Sequence, residues 1–236
     1  MRFIEVEDYE KLSRIASAII CSQVIAKPCS VLGLATGSSP LGTYKNMIKA
    51  YENGDVDFSE VKSVNLDEYV GLKGDHEQSY RRFMNDNLFS KINIPLEETH
   101  VPNGCAADID KEGKDYDELI KSLGGIDLQL LGIGLDGHIV FNEPDSVFTA
   151  GTHNVEHDES TIEANARFFE SKDDVPRFAI TMGMEGIMKA KKVLLIANGA
   201  AKKEIVEKSF YGPITPEVPA SILQLHPDLT VIYSKN

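Results

Sequence analysis

Short apolar runs of strand length alternate along this chain with stretches of helical period, and that alternation restricts the fold more than any other feature. The runs are Val31 to Ala35, Val61 to Leu66, Ile126 to Ile133, Phe178 to Met182, Val193 to Ala197 and Leu229 to Tyr233, rich in Val, Ile and Leu. Between them lie Tyr9 to Val24, Leu41 to Tyr51, Gln78 to Leu88, Asp108 to Leu123 and Ala201 to Ser209. Strands that are apolar almost throughout need cover on both faces, as in a parallel sheet flanked by helices. No repeat, low-complexity tract or linker interrupts the pattern. The expectation is a doubly wound α/β fold, one domain over residues 1–236, with a mostly parallel sheet and helices on both faces.

Composition narrows the function. The net charge is −13, with no run of several Lys or Arg, which argues against a nucleic-acid partner, since a phosphate-backbone binder carries a basic stripe. Any bound anion must meet a small local cationic site. No apolar run approaches the ~18 residues that span a bilayer, and the N-terminus turns acidic where a signal peptide is basic. A soluble, cytoplasmic protein without a membrane partner is expected. Cys21, Cys29 and Cys105 have neither CxxC nor Cys/His metal spacing and read as free thiols.

In an open parallel sheet, ligands sit beyond the carboxyl ends of the strands, near a switch in strand order. Four apolar runs are followed at once by polar or Gly-rich residues: Thr36-Gly37-Ser38-Ser39, Asp67-Glu68-Tyr69, Gly134-Leu135-Asp136-Gly137-His138 and Asn198-Gly199. Parallel strands would bring all four to one edge.

The first of these is a Gly/Ser turn leading into a helix, with Pro40 suited to the first helical position and Ser39 to the cap. Free N–H groups and two hydroxyls there suit a phosphate, although an ordinary capped turn explains the same residues. The Lys of a Walker A loop is missing. Gly132 to Gly137 forms a GxGxxG after a strand, yet only six residues separate Gly137 from Pro144, too few for the long helix of a dinucleotide site. Asp136, His138 and Glu143 instead make a compact acid/base set, in which a carboxylate can orient the imidazole and hold its pKa near neutrality. A divalent metal could use the same three residue types, but a single His speaks against it. The remaining alternative is a histidine that merely satisfies a buried turn.

Asp67 and Glu68 end an apolar strand, and neighbours on a strand face opposite ways. One can enter a cleft as a base on carbon if burial raises its pKa, leaving the other for solvent or a salt bridge. A solvated strand end is the plain alternative. Among the cations, Lys202 lies in the first turn of a helix, where an ammonium is unfavourable unless an anion is present. Arg167 is the second candidate. The other histidines read as structural or surface residues, and His226 as the filler of a buried turn.

Taken together, Leu34 to Pro40, Asn65 to Leu72, Asp136 to Pro144, Ala164 to Phe169 and Pro219 to Pro227 resemble the glucosamine-6-phosphate deaminase family over nearly the whole chain. The resemblance implies conversion of glucosamine 6-phosphate and water to fructose 6-phosphate and ammonia, with no metal or redox cofactor and with a sugar phosphate as the small-molecule partner. It assigns ring opening to His138, supported by Asp136 and Glu143, and proton transfer between C2 and C1 to Asp67. Gly37, Ser38, Ser39, Arg167 and Lys202 would hold the phosphate.

The chain also departs from that pattern. Leu135 stands where a polar residue is usual, Val140 replaces Gly or Ala, and Asp145 replaces a small residue, all flanking the ring-opening set. The resemblance implies a basic effector site after this set in hexameric members, but Asp145 to Ala166 contains no Lys or Arg here, so activation by a phosphosugar is not expected. The chain ends soon after its last strand, as in the short members, which makes a monomer the expected state. Galactosamine 6-phosphate differs from the glucosamine substrate at one hydroxyl and stays open as an alternative. So do 6-phosphogluconolactone hydrolysis, which needs no carbon base at Asp67, and a non-catalytic sugar-phosphate sensor, for which a DNA-binding segment would be expected before the first strand.

Overall fold

The computed structural model describes the chain except residues 158–161, 164, 165, 167, 168, 170 and 172–174. Its strands are β1 (Arg2–Val6), β2 (Val31–Leu34), β3 (Lys62–Asn65), β4 (Asp67–Tyr69), β5 (Thr99–His100), β6 (Leu128–Leu131), β7 (His153–Glu156), β8 (Phe178–Thr181), β9 (Val193–Asn198) and β10 (Leu229–Ser234). The α-helices among the described residues are α1 (Tyr9–Ala26), α2 (Leu41–Glu52), α3 (Tyr80–Asn87), α4 (Ile109–Ser122), α5 (Met184–Met188) and α6 (Lys203–Tyr211). Seven strands form one sheet in the order β1-β10-β9-β6-β2-β3-β5, and every neighbouring pair is parallel.

Burial accounts for this arrangement. Every residue of β2 and β6 is buried, as two-sided cover requires. Helix α1 buries Leu12, Ala16, Ile20 and Val24, spaced by four so that they share one face. Asp8 starts the helix by accepting a hydrogen bond from the Lys11 N–H at 2.8 Å. The doubly wound architecture is as expected from the apolar runs. No helix among the described residues is long and apolar enough to cross a membrane.

One run belongs elsewhere. Phe178 to Met182 does not join the parallel sheet: β8 lies between β4 and β7 in a separate three-stranded antiparallel sheet. A short apolar run reports burial, not the strand with which it pairs. In β7 half-buried and exposed residues alternate, as on a sheet with one solvated face. The chain passes from the main sheet to the small one within a residue, from Asn65 at the end of β3 to Asp67 at the start of β4.

The order contains a switch. After β2 the chain moves outward to β3, and after β6 it moves the other way to β9, while β2 and β6 are adjacent with Leu32 opposite Leu128 and Gly33 opposite Gln129. A crevice opens beyond their carboxyl ends for that reason. At the opposite end, Asp127 ties the same two strands. Its buried carboxylate accepts from Lys27 Nζ at 2.7 and 2.8 Å, Lys191 Nζ at 2.7 Å and the Val31 N–H at 2.8 Å. His226 fills a buried turn as expected, with Nε2 2.8 Å from the Ala190 carbonyl and Nδ1 accepting from the Asp228 N–H at 3.1 Å.

Burial raises the Asp127 pKa, but the bonds from Lys191, Lys27 and Val31 outweigh it and hold the group below the usual carboxylate range. A depressed carboxylate stabilises the fold above its unfolded pKa of about 3.9 and ceases to as pH falls through the folded value. Asp127→Asn should therefore cost about 1–3 kcal/mol at pH 7. Urea unfolding at pH 7 and below pH 4 checks this, the deficit shrinking in acid.

Candidate active site

A cleft of about 260 Å³ occupies the crevice, lined by Thr36 to Ser39 after β2, Leu66, Asp67, Tyr80, Gly132 to Gly134, His138, Val140, Phe141 and Glu143. Three of the four polar segments expected at one edge meet here. The fourth, Asn198-Gly199, leads into a 3₁₀ turn over Ala200–Lys202. From that turn Lys202 Nζ donates to the Ile133 carbonyl at 2.7 Å, on the backbone of the cleft wall. Lys202 thus precedes α6 rather than lying in its first turn. Burial lowers its pKa, and Asp136 opposes that.

The turn after β2 is built differently from its sequence pattern. Pro40, not Ser39, occupies the cap of α2, and the cap residue itself makes no side-chain bond to the helix. The Tyr9 hydroxyl of α1 accepts from the Gly42 N–H at 2.8 Å and lies 2.9 Å from the Ser39 carbonyl oxygen, within donating distance. A tertiary contact thus replaces the local cap, which leaves the Ser38 and Ser39 hydroxyls free of that task. Gly37 takes φ +84°, a backbone conformation that glycine adopts without the Cβ penalty. Behind the turn, the buried Tyr44 hydroxyl donates to the Ala35 carbonyl at 2.5 Å.

Asp67 opens β4 opposite Thr181 of β8 and is 7% exposed. Burial, and secondarily the Glu68 charge, push its carboxyl well above the usual carboxylate range, with His138 opposing. Glu68 is shielded from solvent and forms no salt bridge among the described residues, contrary to the expectation. It is buried and accepts from the backbone N–H groups of Tyr69 and Tyr80 at Oε1, 2.9 and 2.8 Å, and of Arg81 at Oε2, 3.0 Å. The strand alternation holds, but the outward side chain meets the start of α3 instead of water.

His138 enters the cleft from the loop after β6. Its Nδ1 lies 2.8 Å from Asp136 Oδ1 and 3.3 Å from Glu143 Oε2. These are ion-pair contacts, since the ring N–H makes no well-aligned hydrogen bond to either oxygen. The His138 backbone N–H donates to Asp136 Oδ1 at 3.0 Å. Gly134 makes room for the ring, because a Cβ there would fall 2.2 Å from Nδ1. Burial alone would lower the imidazole pKa, but the two carboxylates outweigh it and raise it to about 9. The expectation of a near-neutral value is corrected: two carboxylates, not one, converge on the ring. Burial raises the Asp136 pKa and the contacts with His138 overcome it, so that carboxyl stays below the usual range. The donor atoms of Asp136, His138 and Glu143 lie within 4.8 Å of one another, and the ion pairs account for that convergence.

Arg167 lies outside the described residues, as does much of the surrounding segment. Tyr80, Val140 and Phe141 complete the walls; the sequence marks Val140 only as a departure from the family pattern and does not single out Tyr80 or Phe141. Tyr80 follows the Ser79 cap of α3, a signal of helix start alone. Val140 is the one non-glycine with positive φ among the described residues, at 60°, which no residue type announces.

A doubly wound α/β protein is thus defined, with a phosphate-compatible turn, a buried carboxylate and an imidazolium around one crevice. The chain belongs to the family described as glucosamine-6-phosphate isomerases/6-phosphogluconolactonase, whose model matches residues 10–232. It is 65% identical over 232 residues to a glucosamine-6-phosphate deaminase of Lachnoclostridium phytofermentans, covering 98% of each chain. Identity to the Clostridium perfringens deaminase is 54% over 236 residues, 100% of this chain and 98% of the relative. A solved monomeric glucosamine-6-phosphate deaminase superposes with TM-score 0.96 at 44% identity, covering 99% of this chain and 97% of that one. The 6-phosphogluconolactonase of Thermotoga maritima shares the fold, with TM-score 0.78 at 18% identity, covering 100% of this chain and 99% of that one.

The charged state of His138 has a measurable consequence. A pKa raised from about 6.5 to about 9 contributes stability that is complete below the unfolded value and lost as pH rises through the folded one. In Asp136→Asn the imidazole should titrate about a unit or more lower. NMR titration of the His138 ring carbons reads that shift, and an unchanged midpoint would remove Asp136 from the ion pair.

Proposed function

We propose that this chain deaminates glucosamine 6-phosphate, with water, to fructose 6-phosphate and ammonia. One observation carries the reading: a buried carboxylate of raised pKa and an imidazolium line the same cleft, beside a turn suited to phosphate. Base and acid in opposite charge states are what an aldose-to-ketose shift needs.

Gly37, Ser38 and Ser39, with Arg167 and Lys202, hold the phosphate, which fixes the sugar along the crevice. The His138 imidazolium gives its proton to the ring oxygen and takes one from the anomeric hydroxyl, opening the pyranose. Asp136 and Glu143 stabilise the charged ring before the first transfer and after the second. Asp67, ionised, then takes the C2 proton to form an enolamine and returns it at C1. Water adds to the resulting C2 imine, and ammonia leaves. Residues 1–236 act on this reading as one catalytic unit, a monomer like its solved relative, on a sugar phosphate diffusing in the cytoplasm. Sedimentation at working concentration tests the monomer.

Ammonia release from glucosamine and galactosamine 6-phosphates side by side tests the function, with the glucosamine substrate expected to dominate. Asp67→Asn should lower release by about a hundredfold or more. Near-normal turnover in that variant would remove the base. His138→Gln should impair the cyclic substrate more than an open-chain analogue, and equal losses would refute the ring-opening role. Exhaustive chelation should leave the rate unchanged, whereas a loss restored by a divalent ion would turn the Asp136, His138 and Glu143 cluster into a metal site.

A further inference from the structure

The buried acids among the described residues are Asp67, Glu68 and Asp127. Asp67 supplies the base and Asp127 ties two strands, which leaves Glu68 without a part in the chemistry. Its placement is costly. A buried carboxylate one residue from a second one adds like-charge repulsion to desolvation. Three backbone N–H groups offset that cost, and two of them, from Tyr80 and Arg81, are the open donors at the start of α3.

Ordinary capping does not explain the arrangement. Ser79 already caps α3, its Oγ accepting from the Arg82 N–H at 3.0 Å. Glu68 comes from a different element and grips the helix where Tyr80 begins it. The Tyr80 ring lies 4.9 Å from Tyr69 and stacks on Phe141 at 6.1 Å and 12°. Tyr80 and Phe141 both face the cleft, together with Asp67. A single carboxylate therefore links the strand bearing the base to the aromatic wall.

We propose that Glu68 is a positioning residue of the deamination: it locks the Tyr80–Phe141 wall against the base-bearing strand and holds a second carboxylate beside Asp67. The inference rests on the function proposed above. Among the described residues, the titratable groups that interact electrostatically with Asp67 are Glu68 and Tyr69 on its own strand, His138 from the loop after β6, Tyr44 of α2, Tyr80 of α3 and Tyr116 of α4. Burial raises the pKa of all four phenols, which keeps them neutral in the working range. Among the described residues the charges that bear on the base are Glu68 and His138, of opposite sign; burial raises the Glu68 pKa itself, and the three backbone N–H groups and the Arg81 charge oppose that. Without the Glu68 charge burial still raises Asp67, but only the His138 imidazolium acts on it as a charge among the described residues, so Asp67 becomes a weaker base that ionises at lower pH.

The test compares full-length wild type, Glu68→Gln and Ser79→Ala. In Glu68→Gln the acid limb of kcat/KM should move down by about half a pH unit or more, its plateau should fall, and KM should rise roughly threefold or more as the wall loosens. Ser79→Ala should lower thermal stability without moving the limb. A Glu68→Gln protein that melts earlier but keeps the wild-type limb overturns the proposal, because a purely structural cap does exactly that much. Carboxyl carbon NMR of the wild type, with Asp67 assigned from Asp67→Asn, gives a readout independent of folding in the Glu68 variant and of turnover. Glu68 should stay ionised while Asp67 titrates, and a Glu68 that is protonated throughout refutes the idea. A wild type without ammonia release sinks the function alone, since the NMR readout still decides the charge of Glu68.

Discussion

The parallel pairing of β2 with β6 is the constraint on which the rest depends. These strands are neighbours in space but far apart in the chain, and their onward connections leave in opposite directions. No covering segment can pass over both carboxyl ends, so a crevice remains. The Gly/Ser turn after β2 and the Asp136 to Glu143 loop after β6 face each other across it because the register of the two strands says so. Asp127 holds the opposite ends of the same strands, which makes the pairing an electrostatic as well as a hydrogen-bonded joint.

Around that crevice the charge states are set by geometry rather than by residue type. Two carboxylates surround His138 and keep its ring charged, while Asp67 is buried beside another acid and holds its proton more tightly than an ordinary aspartate. Burial penalises each charge, and neighbours oppose the penalty: ion pairs outweigh it for the imidazole, and three backbone N–H groups offset part of it for Glu68. An overall charge of −13 does not prevent a phosphate from entering, since screening over ~8 Å makes the local cations decisive.

Much of this was legible in linear form where the relevant residues are contiguous. The segment Asp136 to Pro144 carries its acid, its imidazole and its second acid within one loop, and the structure brings them together as expected. The cap of α2 was misread because the partner, Tyr9, is supplied by another helix. Glu68 was misread for the same reason: strand alternation sends it away from Asp67, but only packing decides that α3, not water, stands there. Likewise Phe178 to Met182 reads as a buried strand and is one, although its sheet is the smaller antiparallel one.

The amino-acid sequence by itself determined the alternation of strands and helices, the polar residues that follow the strands and the clustering of Asp136, His138 and Glu143 in one loop, because periodicity and short-range spacing are local properties of the chain. Tertiary structure alone decided which strand ends are neighbours, how far each pKa departs from its ordinary value, and which side chains wall the cleft. Desolvation and Coulomb interaction depend on distances through space, and those distances join residues that the sequence keeps far apart.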